Sequence, residues 1–180
     1  MSERIIDACC LINLYASGKE SSIFQACGEF WVPTQVQNEA LCLRRVDEDD
    51  PARLVSQEID LGEAIAAGHI QTCQLEGQAE VDGFVRFAVQ LDDGEASCLA
   101  IAQSRGWTVA TDDRKARRIA SEHGIALIST PELIRRWVDA MNPSTTTVSE
   151  LLRKIERFAR FRPRRTDPLH RWWTRLSEGE

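Results

Sequence analysis

The chain has 180 residues, 43% hydrophobic and 28% charged, the make-up of a globular protein with one domain and room for an appendage. No apolar run reaches the roughly 20 residues a membrane-spanning helix requires, and MSERIIDACCLINLY has neither a basic start nor a small-residue cleavage site, so a cytoplasmic protein without a signal peptide is expected. The net charge of −6 is unevenly spread: residues 1–143 carry 13 basic and 23 acidic side chains, residues 144–180 carry 9 and 5, and a basic tail on an acidic body points to contact with an anion, either a nucleic acid or the body itself.

Residues 3–7 read as a short strand ending in an acid, Arg4-Ile5-Ile6-Asp7. Helices follow over residues 11–16, stopped by Ser17-Gly18, and over 21–26. Residues 29–32 form a second strand, closed by Pro33. Thr34 is an N-cap candidate for a helix over 34–45, with Val36, Ala40 and Leu43 on one face. A charged loop over 47–51 leads to a helix over 54–67, an alternating strand over 69–75 and a helix over 78–90. Residues 96–102 are apolar nearly all round, which marks a buried helix. A strand over 107–111, a helix over 114–123, a strand over 125–128 and a helix over 131–141 complete the pattern.

Strands that alternate with helices in this way argue for an α/β fold, a parallel sheet with helices on both faces. Residues 142–147 are polar and read as a linker between a body over 1–141 and an appendage over 142–180. The appendage holds a helix over 148–161 and an irregular tail with Pro163 and Pro168.

Six cysteines (Cys9, Cys10, Cys27, Cys42, Cys73 and Cys98) form no C-x-x-C pair and no Cys/His run with zinc spacing. In apolar surroundings they are expected to be reduced core thiols. His69, His123 and His170 are scattered, with no spacing that suggests a ligand pair or a catalytic base.

The acids carry the chemistry. Ligands of open α/β sheets bind beyond the carboxyl ends of the strands. Asp7 ends the first strand, and Asp112 and Asp113 end the strand over 107–111. Glu95 falls in the first turn of the preceding helix, and Glu39 lies just after the strand over 29–32. In one parallel sheet these carboxylates share an edge, where like charges raise each other's pKa. A hard divalent cation relieves that repulsion, and magnesium or manganese held by carboxylates suits phosphate-ester cleavage. Taken singly, the same acids also suit helix caps and first-turn positions.

Four segments resemble the PIN-domain family of metal-dependent ribonucleases, which includes the VapC-type toxins. They are Ile5-Ile6-Asp7-Ala8-Cys9-Cys10-Leu11-Ile12-Asn13-Leu14, Val32-Pro33-Thr34-Gln35-Val36-Gln37-Asn38-Glu39, Leu91-Asp92-Asp93-Gly94-Glu95-Ala96 and Thr111-Asp112-Asp113-Arg114-Lys115-Ala116-Arg117. The resemblance covers residues 3–140. It implies a three-layer α/β/α fold, an RNA substrate, and Mg2+ or Mn2+ held by Asp7, Glu39, Glu95 and one or both of Asp112 and Asp113. It also implies two candidate protein partners, an antitoxin and a second copy of the chain. Residues 47–90 are longer than a short toxin of this kind needs, and the tail after Asn142 has no counterpart in the core pattern.

Asn13 and Thr111 stand beside the acids as candidates to orient substrate or a ligand, and Arg114 and Lys115 as candidates for phosphate contact; each also fits a plain helix-surface or strand-end role. The tail interleaves Arg153, Lys154, Arg157, Arg160, Arg162, Arg164, Arg165, Arg171 and Arg175 with Phe158, Phe161, Trp172 and Trp173. That mixture suits single-stranded RNA, and it equally suits anchorage of the tail on its own domain or on a second copy. A competing class is a PIN-fold module that binds RNA or protein without cutting. A haloacid-dehalogenase phosphatase is disfavoured because Cys9 stands where its second acid belongs, and a response-regulator receiver because Ile6-Asp7-Ala8 offers one acid where it needs two.

Overall fold

The computed structural model describes residues 3–39, 41–47, 49–50 and 52–179. Among these residues the strands are β1 (Arg4–Ile6), β2 (Phe30–Pro33), β3 (Cys42–Val46), β4 (Leu54–Glu58), β5 (Ile70–Cys73), β6 (Thr108–Ala110) and β7 (Leu127–Ile128). The helices are α1 (Ala8–Ser17), α2 (Glu20–Cys27), α3 (Thr34–Gln37), α4 (Gly62–Ala66), α5 (Gly77–Ala88), α6 (Asp93–Arg105), α7 (Arg114–Glu122), α8 (Thr130–Met141), α9 (Thr145–Lys154) and α10 (His170–Glu178), with a π-helical turn over Ile155–Ala159.

Five strands form a parallel sheet in the order β5-β2-β1-β6-β7. Every residue of β1 is buried, as expected of a central strand covered on both faces. On one face α6 packs against β1, β2 and β6, with α5 laid over it; its Ala96, Cys98, Leu99, Ala100, Ile101 and Ala102 are buried. The other layer is built around α1, which touches α2, α8 and α9. This is the three-layer α/β/α arrangement that the alternating pattern implies.

The strand order places the site. From β1 the chain winds outward through β2 and β5, then crosses back to β6 and β7 on the far side of β1. Consecutive crossovers therefore diverge between β1 and β6, and a crevice opens beyond their carboxyl ends. Ile6 pairs with Ala110, and the Asp7 N–H donates to the Ala110 carbonyl at 3.1 Å. The residues that follow, Asp7 on one strand and Thr111 to Asp113 on the other, emerge side by side.

The expected helix over 34–45 stops after one turn, at Gln37. Residues 42–46 instead pair antiparallel with β4, from Cys42 opposite Glu58 to Val46 opposite Leu54. Leu41 and Leu43 are buried while Cys42 is exposed, a period of two that outweighs the helical spacing of Val36 and Leu43. The third member of that expected face, Ala40, and Glu48 and Pro51 of the charged loop lie outside the described residues. The expected helix over 54–67 is likewise divided, into β4 and the short α4. Residues 47–90 thus hold β4, α4, β5 and α5.

The cysteines are unpaired thiols as expected, and four lie in the core; Cys9 and Cys42 do not. All six are free, with Cys10, Cys27, Cys73 and Cys98 buried, Cys9 half-buried and Cys42 exposed.

Residues 145–159 are not a free arm. Val148, Leu151, Leu152 and Ile155 join the same apolar core as the sheet, and the π-turn packs against α1 and β3. α9 starts inside the expected linker, capped by the Ser144 side chain on the Thr147 N–H at 3.1 Å. The expected irregular tail contains α10, whose Trp173 is fully buried. Its ring meets Phe161 edge-on at 5.8 Å, and its Nε1–H donates to Glu156 Oε1 at 2.8 Å. Among the described residues no helix is long and apolar enough to cross a membrane.

Candidate functional site

Asp7 leaves β1 and caps α1: its Oδ1 accepts the Cys10 N–H at 2.9 Å. The Cys9 thiol donates to the same carboxylate at 3.1 and 3.2 Å, and the Thr111 hydroxyl hydrogen-bonds it as well. The side chain is nearly fully buried, 3% exposed, and burial pushes its carboxyl from 3.8 up to about 7.

Asp112 follows Thr111 and takes donors on both oxygens. Oδ1 accepts the Thr130 N–H at 3.0 Å. Oδ2 accepts Asn13 Nδ2 at 2.9 Å, the Cys10 thiol at 3.3 Å and the Thr130 hydroxyl. It therefore rests on the N-terminus of α8, whose capping box joins Ser129 and Glu132 and whose dipole favours a negative charge. Burial raises its pKa, and these donors oppose the rise. Asp113 caps α7, its Oδ1 accepting the Lys115 and Ala116 N–H groups at 2.7 and 2.8 Å. Its own N–H donates to Thr111 Oγ1 at 3.1 Å.

Glu95 sits at the third position of α6, behind the cap that Asp92 makes on its N–H at 2.8 Å. Among the described residues no donor reaches its carboxylate. Burial, reinforced by the charges of Asp92, Asp113 and Asp7, pushes it up to about 7. Glu39 stands a step away. Its pKa is raised by burial and by Asp92 and Asp93, and it lines a neighbouring recess with Asp92, Asp93 and Gly94.

Glu95, Asp112, Asp113 and Asn13 line one cavity of about 650 Å³, together with Cys9, which covers Asp7. Asn13 also donates to Thr130 Oγ1 at 3.2 Å, and Thr111 is fully buried behind the acids. Both hold the carboxylates from inside. Arg114 and Lys115 are exposed on the first turn of α7; the guanidinium of that helix that faces the cavity is Arg117, whose Nη1 donates to the Thr111 carbonyl at 2.9 Å. The opposite wall is the segment after the π-turn, including Arg160, Phe161, Arg162 and Arg164.

The sequence reading missed Thr130; for the basic tail it left contact with the acidic body open as one alternative, without marking residues 159–168 as a wall of the cavity. The signal for Thr130 was present: Ser129-Thr130-Pro131-Glu132 carries a capping-box pattern that puts a helix start at this edge of the sheet. No local pattern marks the wall.

A family model described as a PIN domain matches residues 3–166. The chain belongs to the PIN-domain family. It thus has a nuclease-type fold, of a family that typically uses divalent metal ions and whose substrates are nucleic acids. The match extends through α9 and the π-turn into the wall of the cavity. No curated protein and no solved structure matches the chain.

The residues fit a hard divalent cation. Asp7 and Glu95 are carboxyls held near neutrality by burial, and none of Asp7, Glu39, Glu95, Asp112 or Asp113 forms an ion pair among the described residues. Asp7, Cys9 and Cys10 bring three ligand-type atoms within 4.8 Å of one another. Both thiol pKa values are raised, so the thiols stay protonated and act as donors to the acids. The oxygens remain as ligands, the preference of magnesium and manganese.

Proposed function

We propose that this PIN domain is a Mg2+- or Mn2+-dependent endoribonuclease that cleaves single-stranded or structured RNA. The observation that carries the reading is the pair of buried or half-buried carboxyls without an ion pair among the described residues, Asp7 and Glu95, that meets Asp112 and Asp113 at the divergence of β1 and β6. The choice of RNA follows the resemblance of the four acidic segments to metal-dependent ribonucleases.

Asp7, Glu95, Asp112 and Asp113 would hold the cation, with Glu39 contributing from the adjoining recess. When bound, the cation supplies charge neutralisation at the phosphoryl oxygens and acidifies an attacking water. The protein's own part is positioning. Cys9, the Cys10 N–H and Thr111 fix Asp7, while Asn13 and Thr130 fix Asp112, so the acids need no rearrangement as charge develops. Glu95, whose carboxylate receives no donor among the described residues, is left free to turn to the cation.

A second reading, a PIN module that binds RNA or protein without cutting, draws on Asp112, whose two oxygens are already satisfied by internal donors. Labelled single-stranded RNA, incubated with Mg2+, Mn2+ or EDTA, separates the two. The nuclease reading expects cleavage that EDTA stops and that Asp7→Asn reduces at least a hundredfold. Tight RNA binding with no cleavage in either metal supports the module. As a toxin, the enzyme would arrest growth on induction, Asp7→Asn would not, and an antitoxin segment would act by filling the acidic cavity.

A further inference from the structure

We propose that Arg160 and Arg164 bind the phosphates of the nucleic acid that flank the bond being cut, so that the C-terminal segment is half of the substrate channel. The inference rests on the nuclease reading and adds the wall opposite the acids. A polyanion approaching this cleft meets a body in which acids outnumber bases 23 to 13 over residues 1–143. It needs local positive charge, and the lining of the cavity supplies it: Arg117 from α7 beside the acids, and Arg160, Arg162 and Arg164 from the segment after the π-turn.

Of the three arginines on that segment, Arg162 is committed. It makes a two-pronged contact with Glu156, Nε to Oε1 and Nη2 to Oε2 at 2.9 Å each, and its Nη1 reaches Glu178 at 2.9 Å. Arg160 and Arg164 are exposed and form no ion pair or side-chain hydrogen bond among the described residues. They therefore do not plug the acids as an internal inhibitor would.

The segment is also held in shape before any ligand arrives. Arg162 ties it to α10 and the π-turn, His170 Nδ1 meets the Pro163 carbonyl at 2.8 Å, and Phe161 leans on the buried Trp173. Arg160 ends the π-turn at φ 57°, a left-handed conformation unfavourable to a side-chain-bearing residue. That conformation turns the chain out of the helix and across the mouth of the cavity. Strain of this kind is kept where the surrounding structure fixes it, often at ligand sites. Two guanidiniums on a rigid strap opposite a carboxylate cluster leave a gap in which phosphates are gripped from one side and cut from the other. Guanidinium contacts of this type position a strand without reading its bases.

The test measures binding of a fluorescent single-stranded RNA to the full-length protein in EDTA across a salt series, and KM and kcat in Mn2+. Arg160→Ala/Arg164→Ala is expected to weaken binding at least tenfold. Its slope of log K against log salt should shrink by about 1.4, at roughly 0.7 per phosphate contact on a single strand. KM should rise at least tenfold, with kcat within threefold of wild type. Arg157→Ala/Arg171→Ala removes the same charge from exposed positions outside the cavity and should leave KM within threefold. A cleft-arginine variant with wild-type KM and slope, or a control pair with an equal loss, overturns the proposal while the nuclease reading stands. A wild type that neither binds nor cuts RNA overturns both.

Discussion

A Cβ placed on Gly94 falls 2.0 Å from Glu39 Oε1 and 3.1 Å from Val36 Cγ2, so the absent side chain is what lets Glu39 lie over the first turn of α6. The obstructing atom is the tip of a flexible chain. Gly94→Ala should therefore displace Glu39 and cut metal-dependent activity about tenfold, with a stability change below about 1 kcal/mol, because a movable carboxylate relieves the overlap that a packed core would turn into strain. Parallel activity and thermal-melting measurements check this; a loss of stability with unchanged activity would contradict it. Asp7 gives a second prediction. Its carboxyl is held above its unfolded value of 3.8, near 7, so the fold retains the proton more tightly than the unfolded chain does. Whatever stability this contributes is present below about pH 4 and is lost as pH rises through 7. In EDTA at pH 8, Asp7→Asn, which keeps an N-cap acceptor, should be more stable than wild type by on the order of 2–4 kcal/mol, with the gap closing as pH falls to 4. Denaturant titrations at the two pH values measure it, and a variant no more stable at pH 8 would contradict it. At this scale the sequence made the acids legible, because strand-end and helix-start positions in a parallel sheet fall on one edge. It could not show which donors hold them: Cys9 and Thr130 meet Asp7 and Asp112 only after distant segments are brought together.

The elements that local pattern misjudged are those whose apolar residues serve two geometries. Val36 and Leu43 fit a helical face, yet in the pairing of β3 with β4 alternate residues face opposite ways, which buries Leu41 and Leu43 and leaves Cys42 exposed. α10 was hidden for another reason. Its Trp173 finds its partners in Glu156 and Phe161, so neither half of that packing is visible until both are folded. Trp173→Ala should cost about 3–5 kcal/mol, as removal of a buried indole generally does. It should also release the segment over 160–168, so that trypsin cuts at Arg160 to Arg165 far faster than in wild type. Limited proteolysis beside a thermal melt reads both effects, and a protected segment would show that the strap is held independently of α10.

Across the whole molecule, the alternation of strands and helices was enough to give the parallel sheet and the edge at which the acids gather, since parallel strands need covered faces and crossover helices. The division into an acidic body and a basic tail was also legible, but its meaning depended on where the tail lies, and the structure lays it across the acidic cavity. Charge contacts of this sort predict sequence-tolerant binding: oligonucleotides of equal length but different base composition should bind within about fivefold of one another, with affinity falling steeply with salt. A strong preference for one sequence would point to base-reading contacts elsewhere. The central claim is that the carboxylates at the divergence of β1 and β6 hold a divalent cation, and calorimetric titration of the apo protein with Mn2+ tests it most directly. At pH 6.5 binding should be saturable and release protons, because Asp7 and Glu95 titrate near neutrality, and Asp7→Asn should weaken it at least tenfold. Absence of saturable binding, or binding of equal strength and proton release in Asp7→Asn, would contradict the account.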